Sequence, residues 1–202
     1  MTTQQFTNLS EVKIHLQHLV KYMESTIILE SAARFIVPCS FIDYLSKLYK
    51  GGGGENYKKF IKEIMSEVNP KYIEFEYKGE NEKPIKDLPV QMYHILRCGI
   101  VHSFSLIPDK TAKDNGGRKR SIVLGFNEDK EKYKHLDNYS DKDITDACIF
   151  ILDDFISDLN KSIEVLFAKA EKKNEDGSNS DLERHILDWV KKYPLIGAIK
   201  RA

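Results

Sequence analysis

Apolar residues at Leu9, Val12, Leu16, Leu19, Val20 and Met23 recur at steps of three and four. That is the period of a helix with one buried side, and it predicts a first helix over about 9–24 that opens on acidic Glu11. A second helical stretch, 26–49, carries Ile27, Ile28, Phe35, Ile36, Phe41, Ile42, Leu45 and Leu48. Within it Pro38 predicts a kink or break near Val37, because proline lacks an amide donor and crowds the preceding turn. The glycines from Gly51 to Gly54 each disfavour helix by about 1 kcal/mol relative to alanine, which predicts a flexible connector. A short third helix follows over about 55–68 and is stopped by Asn69-Pro70.

The alternating, β-rich run at 72–77 predicts an exposed strand, followed by a polar loop. Pro89 suits a first helical turn, and the stretch 90–104 after it is apolar on most faces, the mark of a central, largely buried helix. Segments 104–107 and 121–126 flank Asn115-Gly116-Gly117 and predict a β-hairpin excursion with a basic tip. From Ser140, where Ser140-Asp141-Lys142-Asp143 resembles a capping box, a helical stripe runs from Ile144 to Phe167 and predicts the longest helix over 141–172. A polar loop at 173–180 and a short helix over 181–192, ended by Pro194, complete the pattern. The expected fold is mainly α, a helical bundle of about four principal helices with a β-hairpin between the central helix and the long C-terminal one. It is expected to form a single domain over 1–202 with its core at about 9–170.

Composition narrows the function classes. With 31 basic and 31 acidic side chains the chain has no formal net charge, which argues against coating nucleic acid by bulk electrostatics and leaves room only for a local basic patch. Cys39, Cys98 and Cys148 are odd in number, widely spaced and set in apolar runs, so they read as reduced thiols and predict a cytoplasmic setting. Neither an export signal nor a membrane span is expected, and no repeat of solenoid period is present.

Glycine-rich phosphate loops ending in Gly-Lys-Ser/Thr, Cys-x-x-Cys pairs and His-Glu-x-x-His are absent, so neither cofactor nor metal is expected. His15 and His18 stand three apart without an evident third ligand, His135 and His185 lie among polar residues, and Trp189 with Ile186 and Val190 reads as a core anchor. The chemistry-bearing feature is Arg97 followed five residues later by His102, because an arginine on an apolar helix is costly to bury without a partner or water. The short Cys98-Gly99 step between the two thins the helix surface and suggests a cleft or an interface. On a regular helix the two side chains point about 140° apart.

Leu96-Arg97-Cys98-Gly99-Ile100-Val101-His102-Ser103, late in a central helix and followed by a long one, resembles the R-x-x-x-x-H signature of the HEPN superfamily, over about 9–170. The resemblance implies a helical bundle, commonly a homodimer, that cleaves RNA without metal, with defence or toxin–antitoxin systems as an implied setting. Arg97 and His102 are then the catalytic pair, with His94 and Ser103 auxiliary. Imidazole suits proton movement near neutral pH and guanidinium suits the charge of a phosphorane. Lys110, Lys113, Arg118, Lys119 and Arg120 around the hairpin tip, with an excess of four positive charges, are the expected RNA contacts. Where active relatives usually carry Asn, Asp or His directly after the arginine, this chain has Cys98. The alternative is a non-catalytic HEPN-like module that binds RNA or a protein partner.

Overall fold

Helix α1 (Leu9–Thr26) starts where Asn8 and Glu11 cap it: Asn8 Oδ1 accepts from the Glu11 amide at 3.0 Å and Glu11 Oε2 accepts from the Thr7 amide at 2.8 Å. The computed structural model describes residues 6–26, 32–76, 87–100, 122–142, 144 and 147–193. Helix α2 (Ile36–Lys50) follows a 3₁₀ turn at Ala32–Phe35, so Pro38 falls in its first turn, where no intrahelical amide is needed. The expected interruption near Val37 is therefore the start of the helix. Helix α3 begins at Gly54–Phe60, widens to a π-helix over Ile61–Met65 and closes with one α turn, Ser66–Val68.

The run expected as a strand from residue 72 is instead a helical turn, α4 (Lys71–Glu74). Pro70 enters it with a helical φ of −56°, and Asn69 Oδ1 accepts from the Lys71 amide at 3.2 Å, a local start signal that outweighs the alternating pattern. Helix α5 opens at Leu88–Gln91 with Asp87 as its cap, Oδ1 accepting from the Val90 amide at 3.1 Å, and winds as a π-helix over Met92–Ile100.

A small sheet lies between α5 and the long helix. Strands β1 (Ile122–Gly125), β2 (Asn138–Tyr139) and β3 (Ala147–Ile151) pair in the order β1-β3-β2, β1 parallel to β3 and β2 antiparallel to it. Part of the run expected to open the longest helix is thus β3, and α6 (Leu152–Ala170) begins only where it ends. All five β3 residues are buried, so the run Ala-Cys-Ile-Phe-Ile has no polar side from which a period could be read. Segment 121–126 does contain a strand, whereas its expected hairpin partner at 104–107 lies outside the described residues. Ser180 caps α7 (Asp181–Lys192) and ties it to the end of α6, its Oγ accepting from the Glu183 amide at 3.0 Å and donating to the Ala170 carbonyl at 2.6 Å.

The chain is mainly helical, and one apolar cluster runs from Phe6 to Val190 through every described helix, the short α4 contributing Tyr72. Helix α1 lies along α6, and α2 sits at the centre against α3, α5, α6 and α7. Among the described residues no helix is long and apolar enough to cross a membrane.

A buried polar chain joins the sheet to the helices. Leu136 has a φ of 62°, a conformation that costs a side chain of this kind roughly 1–2 kcal/mol, and its own burial helps to hold it there. The strained turn presents His135 inward. His135 Nδ1 accepts from the Ile151 amide at 3.0 Å, so the neutral ring carries its proton on Nε2, 3.3 Å from the Tyr72 hydroxyl. Tyr72 in turn donates to Asp158 Oδ2 at 3.2 Å. Burial pushes the His135 pKa down to about 3. As pH falls below 6.5, an unfolded chain binds a proton that folded His135 refuses, so stability declines toward pH 3 with a slope approaching about 1.4 kcal/mol per unit. Asp158, whose pKa is raised by burial, opposes this only in the part of the window just above its ordinary 3.8. His135→Asn keeps an acceptor for the Ile151 amide and removes the titration, so denaturation midpoints measured between pH 6.5 and 4.5 should show a flatter acid slope; equal slopes in the two proteins exclude this origin.

Candidate functional site

Arg97 lies on the face of α5 that meets α2. Its Nε stands 3.5 Å from Asp43 Oδ1, its guanidinium carbon 5.8 Å from the centre of the Tyr93 ring, and its side chain is 29% exposed. Asp43 also binds Lys47, one turn along α2, through Oδ2 at 2.9 Å. One carboxylate therefore holds cations from two helices. Burial works against the Arg97 charge, but Asp43, Cys98 and Tyr93 outweigh it and the pKa rises, so the side chain stays cationic. A partly exposed pair of this kind adds on the order of 1 kcal/mol or less to stability. Its larger consequence is orientation, since the pair fixes the plane of the guanidinium.

The glycine run builds the wall behind this arginine. A Cβ at Gly54 would come 2.7 Å from Tyr93 Cζ, so only glycine lets α3 begin against that ring. Gly51 and Gly53, with φ of 90° and 106°, turn the chain from α2 into α3, and Asn56 Nδ2 fixes the turn by donating to the Lys50 and Gly52 carbonyls. The run expected as a flexible connector is in this way a shaped support for Tyr93. Tyr93 packs edge-on against Tyr57, whose buried hydroxyl has no hydrogen-bond partner among the described residues and lies within electrostatic reach of Cys39, Asp43 and Cys98.

The other residues named from the sequence fall as follows. His94 is half-buried with its ring edge-on to Tyr93 at 5.3 Å. His102, Ser103, Lys110, Lys113, Arg118, Lys119 and Arg120 lie outside the described residues. His15 packs on Phe6 at 5.2 Å, and burial lowers its pKa. His135, with no expected role, is instead the centre of the buried chain described above, but an imidazole held neutral down to about pH 3 is poorly matched to proton transfer near neutrality. Sequence reasoning missed Asp43 and Lys47 because charged positions on an amphipathic helix read as solvated. The available signal was local: an acid and a base four apart on α2, and Tyr93 four residues before Arg97 on α5.

No protein-family model, curated protein or solved structure matches the chain. The chemistry of the site accordingly rests on its own geometry: a fixed, solvent-reachable guanidinium, a second cation at Lys47, and between them a carboxylate that an incoming anion can displace.

The three thiols differ in environment. Cys39 and Cys148 are fully buried, and burial pushes both pKa values up, whereas Cys98 is partly exposed and lies within hydrogen-bonding reach of Arg97 and Tyr93. Iodoacetamide applied to the native protein should label Cys98 while Cys39 and Cys148 react only after denaturation, as peptide mass spectrometry reads directly. Labelling of all three at one rate would show that α2 and β3 do not bury their thiols in this way.

Proposed function

We propose that the chain is a metal-independent ribonuclease of the HEPN type. The observation that carries this reading is Arg97, fixed by Asp43 and Tyr93 on a partly exposed face of a largely apolar helix. Arg97 stabilises the charge that develops on the phosphorane, and His102 moves the proton of the attacking 2′-hydroxyl or of the leaving group. Lys47, sharing Asp43 with Arg97, is a second cation for the same phosphate. A regular helix would turn positions five apart away from each other. In the π winding of Met92–Ile100 each hydrogen bond reaches the fifth residue, so positions five apart within it recur on nearly one side. A second copy of the chain supplies the matching pair across a shared cleft, and the basic segment at 110–120 grips the strand outside it.

Cleavage of RNA in the presence of EDTA should fall at least about a hundredfold in His102→Ala and in Arg97→Ala. Asp43→Asn, which keeps the shape but releases Arg97, should lose about tenfold while the melting temperature falls by no more than a few degrees. Cleavage that survives both the His102 and Arg97 changes rejects the reading. A second reading, a non-catalytic module that binds RNA or a protein, is favoured by Cys98 at the position next to the arginine; salt-sensitive RNA binding without turnover supports it.

A further inference from the structure

The last helix carries a row of rings. His185, Trp189 and Tyr193 are four residues apart and so share one side of α7, continuing into its C-terminal cap, with centroids separated by 6.1 Å and then 4.6 Å. The inner ring is anchored, His185 Nε2 donating to the Lys47 carbonyl at 3.0 Å. The outer ring is open: Tyr193 is 44% exposed, and Lys192 Nζ stands 5.3 Å from its centre. Burial of Ile186 and Val190 already fastens α7 to the core, and Trp189 is half-buried beside them, so the outward extension of the row to Tyr193 is not needed for packing.

Beside the row opens a groove of about 640 Å³, between the end of α2, the end of α6 and the start of α7, within the size range of small-ligand sites. Lys50, Lys169 and His185 are among its lining residues. Lys50 pairs with Glu63 at 2.5 Å and Lys169 with Glu67 at 2.6 Å, but all four side chains are substantially exposed, and pairs of this kind yield readily to a competing phosphate. Asp181, the acid on the groove, is turned onto Arg184. Asp43, Lys47 and Lys50 follow one face of α2 over about 10 Å, which leads from the Arg97 site to the edge of the groove. A cationic track that ends in stacked rings is the arrangement that binds single strands without regard to sequence, since every base has a face to stack and every nucleotide a phosphate to neutralise.

We infer that this track binds single-stranded RNA next to the phosphate held at Arg97. Lys50 and Lys169 take backbone phosphates, and a base stacks on Tyr193 with Trp189 behind it, displacing Lys192 toward the adjoining phosphate. The inference rests on the RNA reading of the Arg97 site, yet it is read by binding and not by cleavage.

Trp189 is the chain's single tryptophan, so the emission of the full protein reports on the row. The probe is a 2′-O-methyl oligouridylate, which has no free 2′-hydroxyl to attack its own phosphate. Titration should quench Trp189 saturably, with an affinity that falls as salt is raised. Binding should weaken roughly tenfold in Tyr193→Ala and in the Lys50→Ala/Lys169→Ala protein, and be retained in Tyr193→Phe, each variant being matched to the parent by circular dichroism. An oligonucleotide that binds without changing Trp189 emission, or with equal affinity to the parent and both weakened variants, overturns the inference, as does absence of binding. Quenching by a parent protein that cleaves no RNA supports the track and counts against the nuclease. Cleavage with the same KM in parent, Tyr193→Ala and the double lysine variant supports the nuclease and removes the track.

Discussion

The structure depends on how α2 is buried. Phe41, Ile42, Leu45 and Leu48 are wholly or almost wholly removed from water, and four helices close around them. Each such side chain contributes roughly 1.5–3 kcal/mol when buried, so the position of α2 is strongly determined. Asp43 and Lys47 lie at the margin of that packing, Asp43 against Arg97 of α5 and the Lys47 carbonyl against His185 of α7, and they cannot move without moving it. A charge placed on so fixed a support can hold another charge, Arg97, in a definite direction at small energetic cost. Precision at the polar site is in this sense borrowed from the apolar one.

Two polar networks make the same point from opposite sides. The chain from Ile151 through His135 and Tyr72 to Asp158 is buried, with Ile151 donating to His135 and Tyr72 donating to Asp158. It joins the sheet, α4 and α6, and its role is cohesion. The group around Asp43 is open on one side and mixes a carboxylate, two cations, a thiol and an aromatic face. Such an arrangement keeps its charges in partly exposed, replaceable ion pairs. Comparable residue types are thus sealed in one place and left accessible in another, and access to water separates the two.

The helices were legible wherever one side of an element faces water. Thus α1, the body of α2, α3 and the start of α5 follow from the spacing of their apolar residues and from Asn69-Pro70, Pro89 and the glycines. Legibility failed where an element is buried all round, as at β3, and where a capping signal competes with alternation, as at α4. Arg97 was legible because a charge in an apolar run is an anomaly in one dimension. Its partner Asp43 was not, being 54 positions away and ordinary in its own helix, and His135 meets Tyr72 across 63 positions and has no local signature at all. The aromatic row on α7 has a regular spacing, but only the exposure of Tyr193 distinguishes it from core packing.

The pairing of α1 with α6 also sets an order of events at the ribosome. Val12, Leu16, Val20 and Met23 are covered largely by a helix that begins 126 positions after α1 ends. At about 5–20 residues per second, roughly ten seconds of synthesis separate the two. During that interval the apolar stripe of α1 lacks its main native partner and is open to chaperones or to misdirected contacts, so the packing of α1 is completed only as α6 emerges.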